Sequence, residues 1–322
     1  MSPSDGVISI VLAGDAAVAV GAAAAAASAA AAKRPGERLD FHVFDCGMTA
    51  EDARRFRTMV AAGGDSLTWH RIEGEKASLL FGLYSHSNRP YPPAAYARLL
   101  VGDILPSSTR RAIYLDTDVV VRGDLRALWD IDMEGCAALA IADLPRDEGR
   151  MARLAATLTE RDRRRFDVDE TAVYFQSGVM VLDVDAFRDG VARDVLATLR
   201  DYPRLHFPDQ DALNIVLSRR RRLIDPRWNQ MTSIYWTDDW RETPYDEATF
   251  GALRETPFVI HFSGRPKPWE AGCDHPLKAQ FDAALARTPW AGAAPGPLAK
   301  ARRRAGAAVR KLRKLLARAL AR

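Results

Sequence analysis

Residues 112–118 read AIYLDTD, a short apolar run that ends in two carboxylates one residue apart. In an extended chain, positions i and i+2 point to the same side, so Asp116 and Asp118 converge where a buried strand ends. Carboxylate oxygens are hard ligands that suit Mg²⁺ or Mn²⁺, and such a cation keeps open positions for substrate phosphates. Strand ends also carry solvated acids in many proteins, so the interpretation of this pair depends on the surrounding segments.

Working outward from this stretch, short apolar runs alternate with helical stretches. The predicted strands are Val7–Leu12, Leu39–Phe44, Leu67–Ile72, Ala112–Leu115, Ala137–Ile141 and Val179–Val184. The predicted helices are the alanine-rich stretch 16–32, Ala50–Ala62 and Ala94–Leu105, the last ended by Pro106. The charged stretch Arg146–Arg165 is predicted as a solvated helix or loop. This alternation predicts an α/β fold with a mostly parallel sheet covered by helices on both faces.

Acidic residues follow several of these strands. In such sheets, ligands bind at the carboxyl ends of the strands. Asp15 follows the first strand, Asp45 follows the second, and Asp116 and Asp118 follow the later one. We therefore expect three acidic turns at one edge of the sheet, although simple turn chemistry explains Asp15 and Asp45 equally well.

Composition limits the class of protein. A chain of 322 residues can bury a large core, as one big domain or two. The three cysteines, Cys46, Cys136 and Cys273, are far apart and show no metal-ligand spacing, which is compatible with a reducing cytoplasm. The alanine-rich stretch lacks the positive charge that precedes a secretory signal, so it is predicted to be a helix packed against the sheet. No other stretch is apolar enough to span a bilayer.

The basic residues are concentrated at the end of the chain. The net charge is +4, but residues 300–322 carry ten Lys or Arg and no acid, which leaves 36 basic and 42 acidic residues in the body. Within this tail the larger apolar residues recur at steps of three to four, a pattern typical of a cationic amphipathic helix. Attachment to an anionic membrane surface is favoured; packing on the body and nucleic-acid binding are the alternatives.

The predicted organisation has three parts. Residues 1–288 form the main domain, 289–299 are a linker rich in Pro, Gly and Ala, and 300–322 form the basic tail.

Four further segments have residue types that suit a binding site. The small residues in FQSGV, 175–179, allow either close approach of a ligand to the backbone or a tight bend. Asp209 lies at a predicted helix start, where it is either an N-cap or a site residue. His261 ends a strand before a glycine turn and is either structural or a ligand. Lys267, in a loop stiffened by prolines, is a suitable point charge for phosphate.

Together these residues favour transfer of a group from a nucleotide diphosphate. Two carboxylates and an imidazole can hold a cation that bridges the diphosphate and neutralises the departing charge. Lys267 adds a positive contact that strengthens as that charge develops. The sequence has no Walker loop or kinase signature, which disfavours transfer of phosphate itself.

Four motifs in this order resemble family 8 glycosyltransferases: YLDTDVVV, FQSGVMVLD, FPDQDALN and IHFSGRPKPW. The likeness is strongest to bacterial lipooligosaccharide α-galactosyltransferases and α-glucosyltransferases, and it covers roughly residues 7–275. It implies the GT-A fold, with a Rossmann-like sheet, and a retaining enzyme that uses a UDP-sugar and Mn²⁺, or else Mg²⁺.

The resemblance also implies roles for individual residues. The implied metal ligands are Asp116, Asp118 and His261. The implied donor contacts are Asp15 near the base, Gly264 and Lys267 at the diphosphate, and Arg98, Asp116, Thr117, Gln176 and Ser177. The implied catalytic residues are Asp143, which holds sugar hydroxyls, and Asp209 and Gln210 beside the transferred sugar.

Two positions depart from the family pattern. Ala17 stands where the family often has a polar residue, commonly Asn, and Gln176 stands where it usually has Asn, so base recognition and the preferred sugar stay open. A covalent route to retention needs a carboxylate beneath the anomeric carbon, whereas the matched Gln210 is an amide and a poor nucleophile. Front-face attack is therefore favoured.

The resulting hypothesis is a Mn²⁺-dependent retaining hexosyltransferase. It would move galactose or glucose from UDP-galactose or UDP-glucose to a cell-envelope glycan or glycolipid such as lipooligosaccharide. We expect it in the cytoplasm, peripheral on the inner face of the cytoplasmic membrane through residues 300–322, with no nucleic-acid partner. The alternatives are a glucosyltransferase acting on a protein or storage-glycan primer, and a non-catalytic nucleotide-sugar-binding protein.

Overall fold

The computed structural model describes residues 6–87, 91–143 and 149–292. Within them the strands are β1 Val7–Gly14, β2 Arg38–Asp45, β3 Ser66–Arg71, β4 Arg111–Leu115, β5 Val119–Val121, β6 Ala138–Ala142, β7 Phe175–Asp183, β8 Arg221–Leu223, β9 Gln230–Met231 and β10 Val259–His261. The α-helices in the same residues are α1 Ala19–Ala31, α2 Ala50–Ala62, α3 Gly74–His86, α4 Pro93–Tyr96, α5 Val101–Ile104, α6 Leu125–Trp129, α7 Arg150–Thr157, α8 Glu160–Arg165, α9 Val184–Ala186, α10 Ala192–Asp201, α11 Pro208–Val216, α12 Glu247–Glu255 and α13 Lys278–Leu285.

Seven strands form the central sheet, in the order β3-β2-β1-β4-β7-β6-β8. Strands β3, β2, β1 and β4 are parallel, and β7 runs antiparallel to both of its neighbours, β4 and β6. The predicted α/β fold with a mostly parallel sheet is therefore confirmed. A second, three-stranded sheet has the order β5-β10-β9.

Helices cover both faces of the central sheet, as predicted. Alternate side chains along β1 enter two separate cores: Val11 and Ala13 pack with α4, α5, α10 and α11, whereas Ile10 and Leu12 pack with α1, α2 and α6. Period-2 alternation with both faces buried explains why β1 is almost wholly apolar.

The alanine-rich stretch forms α1, the crossover helix between β1 and β2. Its small side chains let the helix approach closely: a Cβ on Gly21 would clash with the Thr117 carbonyl and the Trp269 ring. Ser28 is buried and accepts a hydrogen bond from the backbone N–H of Val121 at 2.9 Å, which ties α1 to β5. The helix is thus a support for the turn that holds the acid pair.

Two predicted helical stretches differ from the structure. The single helix expected over Ala94–Leu105 is instead α4, a 3₁₀ turn over Ala97–Leu100, and α5. Residues 96–102 are all buried, and Gly102 packs directly on the backbone of Arg188, so tertiary contacts override a regular helical period. In the charged stretch, α8 has no buried residue as expected, but α7 buries Met151 and Leu154. The sequence of α7 is amphipathic, which explains this burial. Residues 144–148, at the start of the charged stretch, lie outside the described residues.

The described part of the chain ends close to the predicted linker. Trp290 is buried and packs against Phe56 at a centroid distance of 5.2 Å, so the packed body includes at least this residue of 289–299. The predicted tail, 300–322, lies outside the described residues. In the part of the chain that the structure describes, no helix is long and apolar enough to cross a membrane.

Candidate active site

The topology brings the predicted motifs to one edge of the sheet. Asp15, Asp45 and Asp116 follow or end β1, β2 and β4, which are parallel neighbours, so their carboxyl ends coincide. Strand β7 is antiparallel to β4, so its beginning lies at the same edge and brings Gln176 there. Asp143 directly follows β6, which is antiparallel to β7, and so also reaches this edge.

Asp116 is held by two side chains and its own backbone. Its Oδ1 accepts a hydrogen bond from Arg98 Nη2 at 2.8 Å and one from the Tyr114 hydroxyl at 3.1 Å. Its backbone N–H donates to the Gly178 carbonyl at 2.7 Å. Burial raises the pKa of Tyr114, so its hydroxyl stays protonated and able to donate. These contacts leave Oδ2 of Asp116 directed toward Gly178 and the site.

Arg98 joins the acid pair to the start of α11. The side chain is only 4% exposed, stacks on the Tyr114 ring with its guanidinium carbon 4.4 Å from the centroid, and donates to the Ser177 carbonyl. Its Nε lies 3.4 Å from Asp209 Oδ2. Arg98 therefore holds Asp116, the Ser177 carbonyl and Asp209 together. The donor contact implied for Arg98 stays a prediction.

Asp118 lies between two basic groups. Its Oδ1 is 3.3 Å from His261 Nε2, and its Oδ2 pairs with Lys267 Nζ, which also donates to the Phe262 carbonyl at 2.8 Å. Burial by itself would raise the pKa of Asp118, but His261 and Lys267 hold it well below its ordinary value. The carboxylate is thus kept ionised and available as a ligand.

Asp116, Asp118 and His261 form a candidate metal site. One potential ligand atom from each of the three lies within 4.8 Å of the other two. Two carboxylate oxygens and one imidazole nitrogen suit a divalent cation such as Mn²⁺, which accepts oxygen and nitrogen ligands together. His261 Nδ1 contacts Asn229 Oδ1 at 2.8 Å, so Nε2 is the nitrogen directed to the site. The donor set fits the implied cation.

The first turn of α11 supplies the residues beside the expected sugar. Gln210 Nε2 donates to Asp143 Oδ2 at 3.0 Å, and its Oε1 accepts from the Ser177 N–H at 3.1 Å. Asp209 is buried, and its pKa is raised above the ordinary value. Burial is the largest cause and the negative charge of Asp116 also raises the pKa, whereas the positive charge of Arg98 lowers it. The N-cap position is Phe207, so the capping role considered for Asp209 is wrong.

Asp211 is the residue that organises the start of α11. It is fully buried and accepts hydrogen bonds from the backbone N–H groups of His206 and Phe207 at 2.8 and 3.0 Å. Its Oδ1 also accepts from Arg150 Nη2 at 2.9 Å and from the Tyr174 hydroxyl at 2.6 Å. The helix start that carries Gln210 is therefore fixed by a buried ion pair.

The remaining acids at the edge have turn contacts. Asp45 accepts from the N–H groups of Gly47 and Met48 and from Trp69 Nε1, so its role is structural. Asp15 Oδ1 accepts from the Ala17 N–H at 2.9 Å, which still leaves its second oxygen for a base contact. Burial raises the pKa of the neighbouring Cys46 thiol to about 12, which argues against a thiolate nucleophile there.

The other implied donor contacts stay predictions. Thr117 lies in the turn between the two acids, and Gly264 follows β10. A Cβ at Gly264 would meet only Thr232 Cγ2, at 4.0 Å, so the fold itself does not require glycine there.

Comparison with known proteins identifies the family. The model of "Glycosyl transferase family 8" matches residues 9–273. The chain belongs to glycosyl transferase family 8. A lipopolysaccharide 1,3-galactosyltransferase of Salmonella typhimurium is 28% identical over 262 residues, covering 80% of this chain and 71% of that protein. General stress protein A of Bacillus subtilis is 26% identical over 259 residues, covering 78% and 84%.

Solved structures agree on the fold of this family 8 glycosyltransferase. The galactosyltransferase LgtC, in complex with donor and acceptor sugar analogues, matches with a TM-score of 0.69 and 22% identity, over 88% of this chain and 99% of that one. The bifunctional glycosyltransferase WbbM matches with a TM-score of 0.69 and 20% identity, over 91% and 52%. The fold is GT-A, as the resemblance implied.

Sequence reasoning missed three residues of this glycosyltransferase. Tyr114 lies inside the motif that opened the analysis, and its position two residues before Asp116 could have marked it as a same-side neighbour. Asn214, four residues after Gln210, could have been placed by helical spacing; its amide bonds the backbone N–H and carbonyl of Phe175, both at 2.8 Å. Asn229 carries no signal in the sequence, because its partners are distant along the chain.

Proposed function

We propose that this family 8 glycosyltransferase moves galactose or glucose from a UDP-sugar to a cell-envelope glycan such as lipooligosaccharide, with retention at the anomeric carbon. One observation carries the proposal: the candidate metal site and the Asp143–Gln210–Asp209 cluster lie at the same edge of the sheet, joined through Arg98. A diphosphate at the first and a sugar at the second would be one nucleotide-sugar donor.

The charges of the site support diphosphate binding. Asp116, Asp118 and His261 would hold the divalent cation, which, when bound, neutralises charge on the departing diphosphate. Lys267 lies in the loop after β10, where its Nζ donates to the Phe262 carbonyl and pairs with Asp118. It therefore contributes a second positive charge beside the candidate metal site. We favour Mn²⁺ because the ligands combine two carboxylates with an imidazole.

The sugar would be oriented by the cluster at α11. Asp143 and Gln210 are already hydrogen-bonded to each other, so their side chains are held before the donor arrives. Asp143 has a carboxylate suited to sugar hydroxyls, and Gln210 presents its amide nearest the anomeric carbon, as the family resemblance implies.

The chemistry of Gln210 supports front-face attack. An amide is a poor nucleophile, so a covalent glycosyl-enzyme is disfavoured. Instead, the acceptor hydroxyl oxygen forms its bond to the anomeric carbon on the face from which the diphosphate oxygen departs. The proton of that hydroxyl passes to the departing phosphate oxygen, which balances the charge that develops there.

The acceptor class is supported by similarity. The Salmonella relative is named a lipopolysaccharide 1,3-galactosyltransferase, and a second relative, from Escherichia coli, is named a lipopolysaccharide 1,2-glucosyltransferase. We extend this acceptor class to the present chain, with the cytoplasm as its location, at the inner face of the cytoplasmic membrane.

The test is release of UDP from a panel of UDP-sugars, with Mn²⁺ and with chelator, for the wild type, Asp118→Asn and Asp130→Asn. Slow hydrolysis of one sugar, dependent on Mn²⁺ and lost in Asp118→Asn, is expected. Asp130 is an exposed acid on the surface and its variant should behave as wild type, which controls for general loss of charge.

Two results would contradict the proposal. Hydrolysis unaffected by chelator or by Asp118→Asn would remove the role of the metal site. The absence of turnover with every UDP-sugar, even with crude envelope glycolipid added, would favour another nucleotide donor or a non-catalytic binding protein.

A further inference from the structure

We infer that Asn229 is a positioning residue that holds His261 with its proton on Nδ1, and that Gln176 orients Asn229 for this purpose. The assignment concerns a residue outside the sequence motifs. It rests on the proposed role of His261 as a metal ligand, because only then does the free nitrogen matter for function.

The first step is set by a backbone group. The N–H of Gly178 can only donate a hydrogen bond, and it lies 2.6 Å from one terminal atom of the Gln176 side chain. That atom must be an acceptor, so it is the oxygen Oε1. The orientation of the Gln176 amide is thereby fixed by chemistry.

The second step passes this orientation to Asn229. The same Gln176 Oε1 lies 2.6 Å from a terminal atom of the Asn229 side chain, which must then be a donor, the amide nitrogen Nδ2. The other terminal atom of Asn229 is therefore the oxygen. It lies 2.8 Å from His261 Nδ1 and can only accept, so Nδ1 carries the proton.

Burial makes this chain of contacts selective. Asn229 and His261 are each 2% exposed, so bulk water does not replace a lost partner. With Nδ1 unprotonated, its lone pair would face the Asn229 oxygen as a second acceptor, a buried mismatch that proteins avoid, whatever proton Nε2 shares with Asp118. The ring is also confined by packing, since a Cβ at Gly178 would lie 2.5 Å from His261 Cε1.

The consequence is a ligand nitrogen prepared before a cation arrives. With Nδ1 donating to Asn229, Nε2 is the nitrogen left for the site. It faces Asp118 Oδ1 at 3.3 Å, a carboxylate oxygen that accepts a hydrogen bond from a proton on Nε2 until a metal ion takes that proton's place. A hydrogen bond at the second nitrogen orients the ring and raises its basicity as a ligand. Gln176 acts through Asn229, because its carbonyl oxygen is the acceptor that orients the Asn229 amide.

The experiment reads the tautomer directly in the full-length, chelator-treated protein. Long-range ¹H–¹⁵N spectra with ¹⁵N-labelled histidine, well above the ordinary histidine pKa of about 6.5, distinguish protonated from unprotonated ring nitrogens. The chain has six histidines, and loss of one set of signals in His261→Gln assigns the residue. We expect a proton on Nδ1 in the wild type, irrespective of any proton that Nε2 shares with Asp118, and loss of the Nδ1–H signal in Asn229→Ala.

Two Gln176 variants separate orientation from folding. Gln176→Leu removes the acceptor, so Asn229 can rotate its amide and the Nδ1–H signal should diminish. Gln176→Glu keeps an acceptor oxygen and should retain Nδ1–H. Mn²⁺ binding, measured from the electron paramagnetic resonance signal of the free ion, should weaken about 10- to 100-fold in Asn229→Ala.

Other results would overturn the inference. An unprotonated Nδ1 in the wild type would contradict it without any variant, so a misfolded Asn229→Ala would not prevent the test. Unchanged tautomer and unchanged Mn²⁺ affinity in a folded Asn229→Ala and in Gln176→Leu would make these contacts merely structural. Nδ1–H in a wild type that binds no Mn²⁺ would support the tautomer assignment while contradicting the proposed function.

Discussion

At the scale of single residues, the site depends on close approach as much as on charge. Gly178 lies where the imidazole of His261 and the carboxylate of Asp116 meet, and its own carbonyl accepts from the Asp116 N–H. A side chain there would push both ligands apart. Glycine is therefore needed for space at this position, a requirement distinct from any need for unusual backbone angles.

We expect Gly178→Ala to destabilise the protein by about 1–3 kcal/mol, the usual effect of overpacking, and to weaken Mn²⁺ binding. The added Cβ would lie 2.5 Å from His261 Cε1 and 2.7 Å from Asp116 Oδ2. Denaturant unfolding and Mn²⁺ titration measure the two effects. Gly82→Ala is the matched control, because a Cβ at Gly82 on α3 meets nothing within 4 Å. Equal effects of both variants would count against the steric argument.

Gln210 provides a second prediction at this scale. If it contacts the sugar without attacking it, Gln210→Ala should lower kcat/KM by about 100-fold, as the loss of one polar contact to a transition state does, and should not abolish transfer. Steady-state kinetics measure this, and intact-protein mass spectrometry tests for a glycosylated enzyme. A trapped glycosyl adduct on the wild type would refute front-face attack.

At the scale of elements, α11 carries the residues beside the sugar and is held at its start by a buried ion pair. Arg150 comes from α7 and lies between the rings of Tyr174 and Phe207, with its guanidinium carbon 4.5 Å from each centroid. Asp211 completes the pair. Burying both charges is tolerable only because each finds several partners.

Removing one partner should be costly. Asp211→Ala removes the buried carboxylate that accepts from Arg150, the Tyr174 hydroxyl and two backbone N–H groups, and we expect a loss of about 3–5 kcal/mol in the free energy of unfolding. Asp282→Ala is the control: its pair with Lys278 is exposed on α13, and its loss should change stability by less than about 1 kcal/mol. Chemical denaturation of the wild type and both variants measures these changes in the free energy of unfolding. Similar small losses would show that the buried pair does not hold α11.

At the scale of the whole molecule, the basic tail is proposed to bring the catalytic body to a lipid-linked acceptor. Residues 300–322 carry ten positive charges, and each basic residue close to an anionic lipid surface contributes roughly 1 kcal/mol. The rest of the chain is net acidic and would not bind such a surface by itself. In this proposal the tail attaches the protein to the membrane and the body carries out catalysis.

Deletion of 298–322 should release the protein from anionic vesicles at low ionic strength while UDP release from the donor continues. Co-sedimentation measures binding, and high salt should have the same effect on the full chain because it screens these charges. Neutral vesicles are the control. Binding of the truncated protein equal to that of the full chain would refute attachment through the tail.

The local pattern of the chain was sufficient for much of the fold. Strand and helix alternation, buried strand composition and the position of acids after strands are properties of neighbouring residues, so they can be read without the tertiary structure. The bounds of α2, Ala50–Ala62, agree with prediction because Thr49 and Asp52 form a local capping box. Family membership also followed from motifs, since their order along the chain is preserved.

Only the tertiary structure decided how the motifs meet. The antiparallel direction of β7, which brings Gln176 to the edge of the sheet, depends on its partners β4 and β6 and not on its own residues. The contacts of Asn229 join residues 32 and 53 positions away, a separation with no periodic signature. Sequence by itself determined the main strands and helices of the sheet and which residues are chemically able to act. Packing determined which of those residues share a hydrogen bond, because that requires approach within about 3 Å across distant parts of the chain.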